Sequence, residues 1–258
     1  MSDMIRMGKV ETYINDKIAS EGAILLSLVD PDKQADKCAE VARTSAEAGA
    51  DIILVGGSIG AQGEPLDNAV KAIKEAVNVP VVLFPGSVGG VSQYADATYF
   101  MYMMNSRDLY WVTGAQIQGA PVVKRSGVEP IPTGYIVIEP GMAVGWVGNA
   151  NLVPRSRPDL AAATALAAQY MGARLVVTDS GSGAPTPAPV SLVSAVAKTI
   201  DIPYFYGGGC RTPEQAAEIV RAGADGIQIG TAFEVTDDLK PHVERIVRAM
   251  KEEGKKRV

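Results

Sequence analysis

The chain has 258 residues, 24 Lys and Arg against 29 Asp and Glu, and a formal net charge of −5. With 47% hydrophobic and 21% charged residues it is a globular chain of one large domain or two small ones, and its acidic balance argues against nucleic acid as a main partner. One histidine, His242, and two distant cysteines, Cys38 and Cys210, leave no material for a Cys/His zinc site or a histidine relay, so a metal here is expected on oxygen ligands, which suits Mg²⁺.

A helix is predicted over residues 10–20, and the first β-branched run follows at 24–28. Strand runs recur at 52–55, 81–84, 98–101, 135–138, 175–178, 204–206 and 226–229. Helical patterns lie at 34–47, 66–77, 107–118, 158–171, 189–198, 213–221 and 240–252. Eight strands alternating with helices predict an α/β fold, a (β/α)₈ TIM barrel. It forms a single domain over residues 1–258 with a short N-terminal helix. Three repeated signals favour parallel strands: Ala48-Gly49-Ala50-Asp51, Met171-Gly172-Ala173-Arg174 and Ala222-Gly223-Ala224-Asp225. In each, glycine ends a helix in a left-handed cap before the chain turns into a strand. One helix is missing. The stretch from Pro85 to Tyr94 is too short and Gly-rich for a crossover helix, so a loop or single turn is expected after strand three. Residues 118–133, with three prolines, read as irregular, and the basic run 251–257 as a frayed, solvated tail. There is no disulfide framework, no signal-peptide pattern and no apolar run long enough to span a membrane, so a cytoplasmic location is expected.

In a barrel of this kind the active site lies where the strands end. Strand one runs into Asp30-Pro31-Asp32-Lys33. Asp30 there has two open roles, a cap for the next helix or a ligand for Mg²⁺. Strand two runs into Gly56-Gly57-Ser58, where glycine permits close backbone approach and Ser58 offers a hydroxyl beside Asp30. The last three strands run into Asp179-Ser180-Gly181-Ser182-Gly183, Gly207-Gly208-Gly209-Cys210-Arg211 and Gly230-Thr231. Successive glycine turns after the final strands are read as a phosphate site rather than as turns alone, because N–H groups can face the anion without a Cβ in the way. Asp179 is the acid/base candidate, its other reading being a carboxylate that only ties loop N–H groups. Cys210 beside Arg211 is read as an inert loop residue. Phe100-Met101-Tyr102-Met103-Met104 and Val144-Gly145-Trp146-Val147 make the mouth apolar, fitting a hydrocarbon groove, ordinary core or a subunit interface equally well.

These motifs together resemble the geranylgeranylglyceryl phosphate synthase family and its bacterial heptaprenyl relatives. The likeness rests on Leu28-Val29-Asp30-Pro31-Asp32-Lys33, Ile53-Leu54-Val55-Gly56-Gly57-Ser58, Met104-Asn105-Ser106 and Ile131-Pro132-Thr133-Gly134-Tyr135. It continues through Val144-Gly145-Trp146-Val147-Gly148, Ser180-Gly181-Ser182-Gly183-Ala184, Gly207-Gly208-Gly209 and Gly230-Thr231, over nearly the whole chain. The resemblance implies a barrel with the helix after strand three replaced. It also implies a prenyltransferase that joins the 3-hydroxyl of sn-glycerol 1-phosphate to geranylgeranyl diphosphate by an ether bond and releases diphosphate. That is the first committed step of archaeal membrane ether lipids. By resemblance, Asp30 and Ser58 bind Mg²⁺. Val177, Thr178, Asp179, Ser180, Gly181, Ser182, Gly183, Gly208, Gly209, Gly230 and Thr231 hold the glycerol phosphate. Homo-oligomers, dimers or hexamers, are implied, as is transient contact with a membrane or lipid product. The chain departs from the family at strand six, where Tyr-Leu-Glu is replaced by Val177-Thr178-Asp179. The carboxylate is one methylene shorter and the tyrosine is gone. Two alternatives are another phosphate-handling barrel, an isomerase or lyase, and a binder that has lost catalysis.

Overall fold

The computed structural model describes residues 7–57, 59–234, 236 and 238–258. Helix α1 (Lys9–Glu21) lies under the barrel, with Val10 and Ile14 in the same apolar cluster as the barrel interior. Its start is capped from far along the chain: the Glu129 carboxylate accepts the N–H groups of Val10 and Glu11 at 2.8 and 2.9 Å. An anion there also suits the helix dipole.

Eight parallel strands then close in sequence order, β1 joining β8. They are β1 (Ile24–Val29), β2 (Ile52–Val55), β3 (Val81–Leu83), β4 (Ala97–Met103), β5 (Glu129–Val137), β6 (Leu175–Asp179), β7 (Tyr204–Gly207) and β8 (Gly226–Ile229). Between β1 and β2 lie the short α2 (Pro31–Gln34) and α3 (Cys38–Glu47), and α4 (Gly63–Ala76) connects β2 to β3. The outer ring continues with α5 (Ala115–Ser126), α6 (Met142–Val147), α7 (Pro158–Tyr170), α8 (Val190–Ala197), α9 (Pro213–Arg221), α10 (Thr231–Glu234) and α11 (Leu239–Gly254). No helix connects β3 to β4, as the Gly-rich stretch predicts. The strand period of two sorts the side chains. Leu26, Leu54, Tyr99, Tyr135, Val177 and Phe205 fill the barrel, whereas Leu25, Ile136, Val176 and Ile227 face the helices.

The repeated helix-to-strand turns serve the lower rim. Gly49, Gly172 and Gly223 have φ of 101°, 98° and 118°, the region where a side chain is strained. The aspartates that follow two of them reach back to the neighbouring strand. Asp51 accepts the Leu25 N–H at 2.9 Å, and Asp225 accepts the Tyr204 N–H at 3.0 Å. Asp96, ahead of β4, does the same for the Val81 N–H at 2.8 Å.

Two expectations are corrected. Residues 118–133 are regular: α5 runs through Pro121 to Ser126, Gly127 ends it at φ 75°, and β5 begins at Glu129. Pro130 and Pro132 fit because their missing donors face β6, whose pairing with β5 starts only at Thr133↔Leu175. The helix predicted over 107–118 is therefore longer, beginning as a wide turn at Tyr110–Gly114 and continuing as α5. The 251–257 tail is not frayed. Lys251 donates to Asp51 at 2.9 Å and to the Ala23 carbonyl at 2.8 Å, and Arg257 pairs with Asp225 at 2.6 Å.

Candidate functional site

A cavity of about 460 Å³ opens at the upper end of the barrel. Every strand or the loop after it contributes to the wall, so the site is a product of the closed topology.

One wall is glycine-rich. Ser182, Gly183, Gly208, Gly209, Gly230 and Thr231 all line it, on the loops after β6, β7 and β8. Gly208 has φ 92°, and a Cβ there would sit 2.9–3.0 Å from the backbone of Ser180 and Gly181. The loops after β6 and β7 are thus packed backbone against backbone, which only glycine allows. The Ser182 and Thr231 hydroxyls meet at 2.8 Å, tying the loop after β6 to that after β8. Arg211 donates to the carbonyls of Pro185 at 2.9 Å and Gly183 at 3.3 Å, so its charge is fixed beside this wall. Thr212 and Gln215 form a capping box at the start of α9, which anchors the loop that carries Arg211.

Asp179 ends β6 at the floor, 8% exposed. One carboxylate oxygen accepts the Gly181 N–H at 2.6 Å and the other accepts the Tyr135 hydroxyl at 2.8 Å. Burial holds this carboxyl above the usual carboxylate range, against the lowering pull of those two donors. The loop-tying reading of Asp179 is thus seen directly, and the carboxyl lines the cavity where the acid/base reading needs it.

Opposite lies the end of β1. Asp30 is 7% exposed and accepts the Asp32 N–H at 3.1 Å, while its carbonyl accepts from Lys33 and Gln34. The capping role is thus real. Its second carboxylate oxygen faces Lys33 at 3.5 Å. Burial raises the Asp30 carboxyl, and the Lys33 ammonium pulls it back. A Cβ on Gly57 would stand 2.6 Å from an Asp30 oxygen, so glycine is what admits the carboxylate to the β2 loop. A buried carboxylate at the cavity rim, with Asp32 also lining it, is the kind of oxygen donor a hard cation would use. Ser58 lies outside the described residues. Among the described residues no group of three His, Cys, Asp or Glu comes together.

The third wall is apolar. Leu28, Phe84, Met101, Met103, Trp111, Val144 and Val147 line it. Strand alternation splits the run on β4: Met101 and Met103 face the cavity, while Tyr102 and Met104 pack against the outer helices. A smaller cavity of about 80 Å³ shares Pro85, Met101, Met103, Trp111 and Tyr135 with the main one and continues towards Ala115 and Val123. Trp146 takes no part. It is 84% exposed on the outside of α6.

Several sequence candidates do not reach the cavity. Val177 is fully buried inside the barrel, two residues below Asp179. Thr178 points outward and pairs with the Tyr204 hydroxyl at 2.6 Å. Ser180 pairs with the Tyr206 hydroxyl at 2.9 Å. These three can shape the wall only through backbone and support. Cys210 lines the cavity, but burial pushes its thiol up to about 12, outweighing Arg211, so it stays protonated. Four lining or supporting groups are not singled out by the motifs: Lys33 as a cavity cation, Tyr135, Gln228 and its partner Tyr99. Inward alternation on β5 and β8 marks Tyr135 and Gln228 as polar residues on core-facing positions, which is the signal that was there to find.

Known proteins match this chain over nearly its whole length. The model of the PcrB family matches residues 16–253. The chain is 52% identical to the geranylgeranylglyceryl phosphate synthase of Thermococcus kodakarensis over 94% of its own length and 96% of that protein's. It is 50% identical to that of Pyrococcus abyssi, covering 96% and 100%. Among solved structures it resembles the (S)-3-O-geranylgeranylglyceryl phosphate synthase of Thermoplasma acidophilum in complex with sn-glycerol-1-phosphate, at TM-score 0.92 and 40% identity over 95% of this chain and 100% of that one.

Proposed function

The chain belongs to the PcrB family, and from that premise we propose that it transfers a geranylgeranyl group from its diphosphate to the 3-hydroxyl of sn-glycerol 1-phosphate, forming an ether and releasing diphosphate. The observation that carries this reading is one cavity with three different walls: glycine-rich loops, buried carboxylates and apolar side chains. An isomerase or lyase acting on a small phosphate has no use for the third.

The glycine wall takes the phosphate of the acceptor. The turns after β6 to β8 present N–H groups, Ser182 and Thr231 present hydroxyls, and Arg211 adds fixed positive charge. The glycerol end then reaches the floor, where Asp179 accepts the proton of the attacking hydroxyl. A carboxylate raised by burial is the better base, and Tyr135 and the Gly181 N–H hold it in one orientation. The apolar wall takes the prenyl chain, with Met101 and Met103 supplying adaptable contacts. Asp30, with Ser58, would hold Mg²⁺, and Lys33 stands beside it to face the diphosphate. When bound, Mg²⁺ offsets the negative charge that develops on the leaving diphosphate.

No helix of the described residues is long and apolar enough to cross a membrane. The reading places the enzyme in the cytoplasm, meeting membrane only through its lipid product, and as a homo-oligomer (dimer or hexamer). The exposed indole of Trp146 supports the last point, and light scattering tests it.

The test incubates the protein with labelled geranylgeranyl diphosphate and either sn-glycerol 1-phosphate or its 3-phosphate enantiomer, with Mg²⁺ or with EDTA. Ether product from the 1-phosphate, lost in EDTA, is expected. Binding of both ligands with no product would replace the reading with a binder that has lost catalysis.

A further inference from the structure

Gln228 lies on β8 with its side chain inside the barrel, 5% exposed, at the floor of the main cavity. Its amide oxygen accepts the Tyr99 hydroxyl at 2.9 Å. Its amide nitrogen has no hydrogen-bond partner, although it is buried. An unmet buried donor costs about 1–3 kcal/mol, so its persistence calls for an explanation. The register supplies one. Asp179, Gly207 and Gln228 are paired across β6, β7 and β8. All three face inward on one row, and the middle one has no side chain. A Cβ on Gly207 would lie 3.2 Å from both the Asp179 Oδ2 and the Gln228 Nε2. The floor therefore has a notch with an acceptor on one side and an unused donor on the other. A hydroxyl has both complements: it donates to the carboxylate and accepts from the amide. Water has them too, but the notch opens on a cavity that also carries the phosphate wall.

We propose that Gln228 is a substrate-binding residue whose Nε2 donates to a hydroxyl oxygen of a polyol phosphate, holding that hydroxyl on Asp179. Tyr99 keeps the amide in the required orientation, so that the nitrogen rather than the oxygen faces the notch. The inference rests on the transferase reading above and names the contact that selects the acceptor in that site.

The double variant Tyr99→Phe/Gln228→Met tests it. Removing both members of a buried polar pair leaves no orphan, so the fold should hold with an unchanged or higher Tm. The KM for sn-glycerol 1-phosphate should rise about 3- to 10-fold, the value of one neutral hydrogen bond, while the KM for geranylgeranyl diphosphate stays. Tyr99→Phe alone should give the same direction with a smaller rise. If the wild type turns over both substrates and the double variant has the same KM for the glycerol phosphate, the contact does not exist. An unchanged KM with the acid limb of the pH–rate profile moved upward would overturn it too, because Gln228 would then serve Asp179 alone. A wild type that makes no ether product defeats the transferase reading instead. Calorimetry of sn-glycerol 1-phosphate on both proteins then decides the contact independently: equal affinity overturns it and weaker binding to the variant upholds it.

Discussion

The two ends of the barrel use the same residue type in opposite ways. At the lower rim Asp51 accepts a strand N–H and pairs with Lys251, and Asp225 accepts another and pairs with Arg257. Asp96 accepts the Val81 N–H and pairs with Lys74. Each has both a neutral donor and a cation. At the upper end Asp179 has two neutral donors and no cation among the hydrogen bonds it accepts, and Asp30 has one N–H and a lysine at 3.5 Å. Burial raises Asp225 as well as Asp179 and Asp30, so the direction of a pKa does not tell the ends apart. Saturation of partners does. Carboxylates held close by a cation close the fold, whereas Asp179, held by neutral donors alone, faces the cavity and remains available to a substrate, and Asp30 with its looser lysine lies between the two.

The sharpest way to break this contrast is Asp179→Asn. Turnover should fall about 10²- to 10⁴-fold, the usual share of a general base, with circular dichroism unchanged. The same variant should raise Tm at neutral pH. A carboxyl whose folded pKa lies above its unfolded value of about 3.9 adds stability below that value and loses it as pH rises through the folded one. Thermal melts from pH 4 to 8 should show the wild type losing that increment and the variant not.

Asp51→Ala should do the reverse. Leu25 loses an acceptor and Lys251 a buried partner, for about 3 kcal/mol in urea unfolding. The kcat of the molecules that remain folded should not change. Gly208→Ala bridges the two ends. It forces a side chain onto φ 92° and against the Ser180 backbone, for about 1–3 kcal/mol. Unlike Asp51→Ala, it should also raise the KM for the glycerol phosphate. Arg257→Ala, whose ion pair with Asp225 is partly solvated, should be the mildest, within about 1 kcal/mol and kinetically silent.

Much of the barrel is legible before any coordinates. Gly49, Gly172 and Gly223 announce helix ends because positive φ is a local property, and the strands follow from runs of β-branched residues. The gap from Pro85 to Tyr94 is legible because no helix packs from so short a Gly-rich stretch. The site loops are legible in outline for the same reason: glycine next to a strand end restricts what the backbone there can do. Misreadings arose where distant partners override local signs. Pro130 and Pro132 look like breakers, yet they are harmless because β6 has not begun at their level. Lys251 and Arg257 look like a solvated charge run, yet Asp51 and Asp225 hold them.

Within the site, residue identity settled the chemistry available. A single histidine and two separate cysteines left carboxylates, hydroxyls and glycine N–H groups, and the strand-ending Asp30 and Asp179 were found on that basis. Which side chains share the cavity was decided by closure. Thr178 and Ser180 flank the lining residue Asp179 and still face away, because the pleat turns alternate residues outward, whereas Val177 faces inward with Asp179 but lies a layer deeper in the filled barrel. Gln228 and Asp179 are 49 positions apart and meet across one glycine, because parallel register sets them in one row. Backbone preferences act over a few residues and can be read from the chain. The alignment of eight strands around a common axis cannot, since it depends on hydrogen bonds between segments separated by whole helices.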